Sequence, residues 1–232
     1  MRKLIVANFK MNGDSKFYRS YIKNINKRLD KDTNFALCPP FVYLSEFSKL
    51  KNKNAIGCQD IANIINTKST GQISPKMLKE FGVKYAVVGH SERRANGETD
   101  DLIAEKVDVC LSHEICPIVC VGEPKKSSKI DFIINQVKIA LSKNKNGSVI
   151  FAYEPIWAIG TGDIPTVSKI NKAIDLIKNT AKEMGVEVQV LYGGSVNKDN
   201  YIDLLSSRAD GFLLGGVSLK VDDYIEIVKG CK

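Results

Sequence analysis

Lys10, His90 and Glu154 each lie within three residues of the end of a short apolar segment. In parallel α/β proteins such segments are buried strands, and polar residues that follow them are exposed at one edge of the sheet. A carboxylate there can act as a general base. An imidazole and an ammonium can stabilise negative charge that develops on an oxygen. Each residue taken alone also fits an ordinary structural role.

Two diglycine pairs follow the last two apolar segments. Gly193 and Gly194 precede Ser195, and Gly215 and Gly216 precede Val217. Glycines leave the backbone N–H groups unobstructed, and such groups bind phosphate at this position in barrel proteins. One diglycine is weak evidence, but two in these places indicate a site for an anion.

The segments that carry these residues alternate with helical patterns along the whole chain. We predict eight strands, at residues 4–7, 35–38, 55–58, 85–88, 118–121, 149–153, 188–191 and 211–214. Between two of them, Ile170, Ala173, Ile174 and Ile177 have the spacing of one helix face. Alternating strands and helices predict an α/β fold with a parallel sheet. Eight such units in 232 residues favour a closed (β/α)₈ barrel, formed as a single domain over residues 1–232.

Composition narrows the class of protein. No apolar run approaches a membrane span, and the start of the chain does not resemble a signal peptide, so a cytoplasmic location is expected. The six cysteines form no CxxC pair and only two histidines are present, so we expect free thiols and no metal site.

The net charge is +8, but the basic residues are scattered. They indicate a lysine-rich composition rather than a nucleic-acid or membrane site, and they are compatible with an anionic substrate.

Four motifs together resemble the signatures of the triosephosphate isomerase family. They are residues 8–12 (NFKMN), 90–94 (HSERR), 153–162 (YEPIWAIGTG) and 192–196 (YGGSV). They occur in the family's order, each at a predicted strand end, and the resemblance extends over residues 6–219. The third motif is highly specific. It contains a proline, two glycines and the only tryptophan, as expected of a lid over an active site.

The resemblance implies a role for each catalytic candidate. Glu154 would take a proton from carbon, and His90 would polarise the carbonyl and move protons between the oxygens. Lys10 would offset charge on the substrate and the enediolate, with support from Asn8. Glu92 would be a nearby partner with a less settled task.

The resemblance also implies how the substrate is held. Asn8 and Lys10 would contact it, and Gly160, Ser195, Gly215 and Gly216 would donate backbone N–H groups to its phosphate. The implied enzyme is an isomerase of glycolysis and gluconeogenesis that interconverts dihydroxyacetone phosphate and D-glyceraldehyde 3-phosphate. It would use no metal or organic cofactor and would form a homodimer, with Thr70 reaching into the partner.

The sequence departs from the family pattern at two informative positions. Gln72 replaces a glutamate that pairs with an arginine near the dimer interface, which removes that ion pair. Pro165 stands in the second lid hinge, where the family has a backbone N–H that bonds the tyrosine at the position of Tyr192. Proline has no N–H to donate.

Two other functions remain open from the residues alone. An aldolase could use Lys10 as a Schiff base, although that chemistry favours a lysine within a strand and does not require Glu154 and a lid. A barrel kept only as a binding protein would be expected to lose Lys10, His90 or Glu154, and all three are present.

Overall fold

One parallel sheet contains every strand of the computed structural model, which describes residues 2–64, 68–125, 131–143, 146–158 and 164–231. Within these residues the strands are β1 (Leu4–Asn8), β2 (Phe35–Cys38), β3 (Gly57–Cys58), β4 (Tyr85–Val88), β5 (Cys116–Val121), β6 (Ile150–Tyr153), β7 (Gln189–Tyr192) and β8 (Gly211–Leu214). Their order in the sheet is β2-β1-β8-β7-β6-β5-β4-β3.

The two outer strands of this order meet and close the sheet into a barrel. Leu37 of β2 forms a parallel bridge with Ile56, just before β3. The Leu37 N–H donates to the Ala55 carbonyl at 2.8 Å. Each neighbouring pair in the sheet is parallel, from β1 with β2 to β7 with β8. The predicted (β/α)₈ barrel is therefore confirmed.

Several strand boundaries differ from the predicted ones by one or two residues. β3 is two residues long rather than four, because regular pairing with β4 begins only at Gly57. β1 and β7 each extend one residue further, so Asn8 and Tyr192 end strands. This matters for the site, since a residue that ends a strand is held more firmly than one in a loop.

Helices surround the barrel and pack against it. They are α1 (Ser15–Arg28), α2 (Pro75–Glu80), α3 (Ser91–Ala95), α4 (Asp100–Ser112), α5 (Asp131–Ala140), α6 (Val167–Glu183), α7 (Tyr201–Leu204) and α8 (Val221–Gly230), with 3₁₀ segments at Phe41–Lys49, Ile156–Ala158 and Gly216–Leu219. The hydroxyl of Thr166 accepts the Lys169 N–H and begins α6. The predicted stripe on α6 is confirmed, since its four members are all buried.

Successive strand residues divide between two apolar layers. Leu4 and Val6 of β1 pack inside the barrel with Ala152, Leu191 and other strand residues. Ile5 and Ala7 face outward and pack against the helices. Burial on both faces explains why the strands read as continuous apolar runs. It also leaves the carboxyl ends of the strands as the rigid rim on which polar residues can be placed.

Two further findings concern the described residues. None of their helices is long and apolar enough to cross a membrane. All six cysteines are free, and five of them are buried. Burial raises the pKa of the Cys38 thiol to about 12.

Candidate active site

A cavity of about 410 Å³ opens at the carboxyl ends of the strands and collects most of the predicted site residues. Asn8, Lys10, His90, Glu154, Ser195, Gly215 and Gly216 all line it. These residues come from the ends of β1, β4, β6, β7 and β8, which are far apart in sequence. The barrel therefore brings together residues that the strand-end positions and the family resemblance had indicated.

Glu154 is buried at the end of β6, in a slot that two glycines leave open. A β-carbon on Gly193 would lie 2.9 Å from Glu154 Cγ, and one on Gly122 would lie 1.8 Å from the Glu154 carbonyl oxygen. Neither approach is compatible with a side chain at those positions. The Glu154 N–H donates to the Val121 carbonyl at 2.8 Å, so the backbone of the carboxylate is fixed to the neighbouring strand.

His90 lies beside the carboxylate and at the start of α3. Its Nε2 is 3.3 Å from Oε1 of Glu154. Its Nδ1 accepts the backbone N–H of Glu92 at 3.2 Å and so carries no proton. The remaining ring proton is on Nε2, directed toward the carboxylate and the cavity. The start of α3 also contacts the Glu154 carboxylate, because the Ser91 N–H donates to Oε2 of Glu154 at 3.2 Å.

Lys10 follows β1 with an unusual backbone. Its φ is +51°, in the left-handed region that non-glycine residues seldom adopt. The Asn8 Oδ1 atom accepts the Lys10 N–H at 3.0 Å. The Lys10 ammonium is 2.6 Å from Oε1 of Glu92. Glu92 itself is largely exposed and does not line the cavity. Its contacts with the site, within the described residues, are those with Lys10 and His90.

The opposite wall of the cavity is mostly backbone. Gly215 and Gly216 lead into the 3₁₀ segment Gly216–Leu219, and a β-carbon on Gly216 would meet nothing within 4 Å. The Ser195 hydroxyl donates to the carbonyl of Ala158 at 2.9 Å, which ties this wall to the segment after β6. Gly160, the fourth predicted phosphate contact, lies outside the described residues.

The described start of the predicted lid is attached to β5 through Glu123. Oε1 of Glu123 accepts hydrogen bonds from the Trp157 indole at 2.9 Å and the Tyr153 hydroxyl at 3.0 Å. The Ile156 N–H donates to the Glu123 carbonyl at 3.1 Å. The predicted hinge at Pro155 is thus held by two strands. Residues 159–162 of the lid motif lie outside the described part of the chain.

Sequence reasoning missed Gly122 and Glu123, although both follow β5 directly. The rule that identified Lys10, His90 and Glu154 also applies there, but residues 122–125 carry no helical or diglycine pattern. Gly193 was assigned to the anion site; it lines the cavity, and a β-carbon there would come closest to Glu154. Within the described residues, no group of three His, Cys, Asp or Glu side chains could hold a metal ion.

Comparison with known proteins agrees with this geometry. The family model described as triosephosphate isomerase matches residues 3–231. The protein named triosephosphate isomerase from Thermoanaerobacter pseudethanolicus is 41% identical over 98% of each chain. Proteins of the same name from Neurospora crassa and Psychromonas ingrahamii are 40% and 34% identical, over 98% of the relative in each case and 98% and 99% of this chain. The chain therefore belongs to the triosephosphate isomerase family.

Proposed function

We propose that the protein interconverts dihydroxyacetone phosphate and D-glyceraldehyde 3-phosphate, with Glu154 as the base. Family membership supports the reaction. The placement of Glu154 Oε1 at 3.3 Å from His90 Nε2, inside the cavity that Lys10 lines, supports the assignment of residues. A base and a hydrogen-bond donor that converge on one cavity are what proton transfer next to a carbonyl requires.

Glu154 begins the reaction by taking a proton from C1 of dihydroxyacetone phosphate. The electrons of the C1–H bond form a C1–C2 double bond, and the carbonyl electrons move to O2, which gives an enediolate. The O1 proton then moves to O2 by way of His90, and Glu154 returns its proton to C2, which completes the aldehyde and its C2 hydroxyl. Substrate and product are isomers, so no electron carrier takes part.

His90 and Lys10 stabilise the charge that develops on the oxygens. His90 meets it with the proton on Nε2, since Nδ1 is occupied by the Glu92 N–H. A carboxylate base with a neutral histidine is the arrangement for which this enzyme family is known. The Lys10 ammonium lines the same cavity and adds a positive charge to it.

The phosphate end of the substrate is assigned to the glycine wall. Backbone N–H groups of Ser195, Gly215 and Gly216, together with Gly160, would bind its oxygens. The link between Ser195 and Ala158 supports a coupling of this wall to the lid. A closed lid keeps water from the enediolate and holds the phosphate in the plane that disfavours its elimination.

The surroundings of Lys10 argue against an aldolase. Its amine is ion-paired with Glu92 at 2.6 Å, and a paired ammonium has no free electron pair with which to attack a carbonyl. A Schiff-base lysine requires a neutral amine in an apolar pocket. An isomerase needs only the positive charge of Lys10, and the ion pair with Glu92 is compatible with that charge.

A homodimer is the assembly that the exposed apolar surface supports. Met11, Val42 and Met77 follow β1, β2 and β3, and their exposed fractions are 95%, 79% and 53%. Thr70, on the loop between β3 and α2, is exposed as well. A second copy of the chain that covers these side chains would remove their apolar surface from water. We also infer one domain and a cytoplasmic location, the latter supported by six free thiols.

A coupled assay tests the proposal directly. Purified protein should convert glyceraldehyde 3-phosphate to dihydroxyacetone phosphate, detected through a dehydrogenase that reduces the product. Borohydride added during turnover should trap no covalent adduct on Lys10. Absence of isomerisation would contradict the proposed function, and a trapped adduct would favour the aldolase.

A further inference from the structure

The carbonyl of Lys10 is held by a side chain from a strand that carries no proposed catalytic residue. Gln59 directly follows β3, and its Nε2 donates to the Lys10 carbonyl at 2.9 Å. The same nitrogen donates to the Cys38 carbonyl, also at 2.9 Å. Both acceptors are carbonyl oxygens, which cannot donate, so the amide nitrogen must face them. One side chain thereby joins the ends of β1, β2 and β3.

This contact occurs where the backbone needs support. Among the described residues only Lys10 and Glu114 are non-glycine residues with positive φ, and Glu114 lies on the exposed turn after α4. A left-handed conformation at a residue with a β-carbon is unfavourable and persists only when its surroundings fix it. Lys10 is therefore held in place by its neighbours rather than by its own preference.

The two backbone polar groups of Lys10 are both bound by side chains. Asn8 Oδ1 accepts its N–H at 3.0 Å, and Gln59 binds its carbonyl. Asn12 supports the preceding peptide through its amide, which donates to the Phe9 carbonyl at 2.9 Å. Of these side chains, Gln59 is the one that comes from a distant part of the sequence. Its removal would leave the Lys10 carbonyl without this bond and the left-handed backbone with support from one side only.

We propose that Gln59 is a positioning residue for Lys10. By binding the Lys10 carbonyl it holds the left-handed backbone, and that backbone directs the ammonium into the cavity beside Glu92. This inference rests on the proposed function, since the task of Lys10 is part of it. It assigns no contact between Gln59 and the substrate.

Gln59→Met tests the proposal, because methionine has similar length and no donor. We expect kcat/KM to fall by about 10- to 100-fold, and the inhibition constant of inorganic phosphate to rise, because Lys10 acts on the anion. In a Lys10→Met background the same substitution should change kcat/KM by less than about twofold. Equal losses in both backgrounds, or no loss in wild-type background, would overturn the proposal.

A matched control separates positioning from general loss of stability. Asn52 lies before β3 at the other end of the barrel, and its amide donates to the Thr33 carbonyl at 3.0 Å. Asn52→Leu should lower the melting temperature and leave kcat/KM unchanged. If Gln59→Met does not fold, Gln59→Glu serves instead, since a carboxylate cannot donate to the two carbonyls. Activity losses that only follow the melting temperature across these variants would also overturn the proposal.

The backbone conformation of Lys10 tests the positioning role of Gln59 independently of the proposed function. An inactive wild-type protein would defeat the proposed function alone. A crystal structure of Gln59→Met would still decide the positioning role, through the Lys10 backbone. We expect φ of Lys10 to move to a negative value, and a φ that stays near +51° would overturn the inference.

Discussion

Nε2 of His90 lies 3.3 Å from Oε1 of Glu154, while the other nitrogen of the ring accepts the N–H of Glu92. The second contact fixes the tautomer and so determines what the first can do. The carboxylate faces an N–H that can donate, and both groups face the cavity. A substrate carbonyl that enters between them would meet a base on carbon and a donor on oxygen.

Glu154→Gln should remove most of the catalytic rate and keep the site intact. Glutamine fits the slot between Gly122 and Gly193, and its carbonyl oxygen can still accept the Ser91 N–H. Loss of a general base lowers kcat by about 10²–10⁴-fold or more. Inorganic phosphate should inhibit the variant with nearly the wild-type constant. Glu114→Gln, an exposed carboxylate outside the site, is the control, and a fully active Glu154→Gln enzyme would refute the assignment.

Much of this site could be predicted because it depends on strand ends. Asn8, His90 and Glu154 follow apolar runs that are buried on both faces, and the barrel brings such ends to one rim. The pattern does not reveal support that acts over long distances. Gln59 binds a residue 49 positions earlier in the chain, and no local signal marks that pairing. Gly122 is required by the backbone of Glu154, which only the packed structure shows.

The boundary of β3 illustrates a different limit. Residues 55–58 form a continuous apolar run, so the pattern predicts four paired residues. In the structure the first two meet β2 through one bridge and one hydrogen bond, and regular pairing starts at Gly57. The length of β3 depends on how β2 and β3 meet when the barrel closes. The hydrophobicity of residues 55–58 does not determine that geometry.

The protein should lose stability as pH rises above about 9, because its buried thiols resist ionisation. Burial raises the pKa of Cys38 and of Cys116 to about 12, and it raises the pKa of Cys58 and Cys120 as well. In the unfolded chain these thiols lose protons near pH 8.5. Above that pH the unfolded state binds fewer protons, so alkali favours it.

Denaturant unfolding at a series of pH values measures this effect. Each buried thiol adds a slope of up to ~1.4 kcal/mol per pH unit between its two pKa values. Cys38→Ala removes one such group and should give a shallower decline than the wild type. A free energy of unfolding that stays constant from about pH 7 to about pH 10 would contradict the buried, reduced state of the thiols.

The proposed dimer should be less sensitive to salt than a dimer with an ion-paired interface. Gln72 carries no charge where the family has a glutamate, so the interface lacks one ion pair that salt would screen. Light scattering at micromolar concentration should give a dimer at low and high ionic strength. Gln72→Glu should make dissociation more dependent on salt, with the wild-type protein as control. A fully active monomer at micromolar concentration would refute the dimer.

Tyr192 and Pro165 give the prediction that is most specific to this chain. The Tyr192 hydroxyl is buried and, within the described residues, has no hydrogen-bond partner. Family resemblance implies that a tyrosine here bonds a backbone N–H in the second lid hinge. Aligned with the family pattern without gaps, Pro165 occupies that position, and proline has no N–H. The closed lid would therefore lack a bond worth about 0.5–1.5 kcal/mol, unless the hydroxyl finds another partner.

The structure offers one such partner in Glu123. Its Oε2 is also buried without a partner in the described part of the chain, and its charge adds to the effect of burial in raising the pKa of Tyr192. A hydroxyl that donates to Glu123 would secure β7 to the lid's first hinge, since Oε1 of Glu123 binds Trp157. Whether the Tyr192 hydroxyl has no partner or donates to Glu123, it makes no bond to the second hinge.

Tyr192→Phe should therefore lower kcat/KM by less than about tenfold, because no bond to the second hinge is lost. Pro165→Ala restores an N–H at the hinge and should make the enzyme more sensitive to Tyr192→Phe. Proline also restricts Ile164 to extended angles and reduces the freedom of the open lid, which offsets part of the missing bond. A double-mutant cycle on kcat/KM measures the coupling between the two positions. If Tyr192→Phe is severely damaging with Pro165 present, and no more damaging with alanine there, the hydroxyl acts elsewhere and the argument from the missing N–H is wrong.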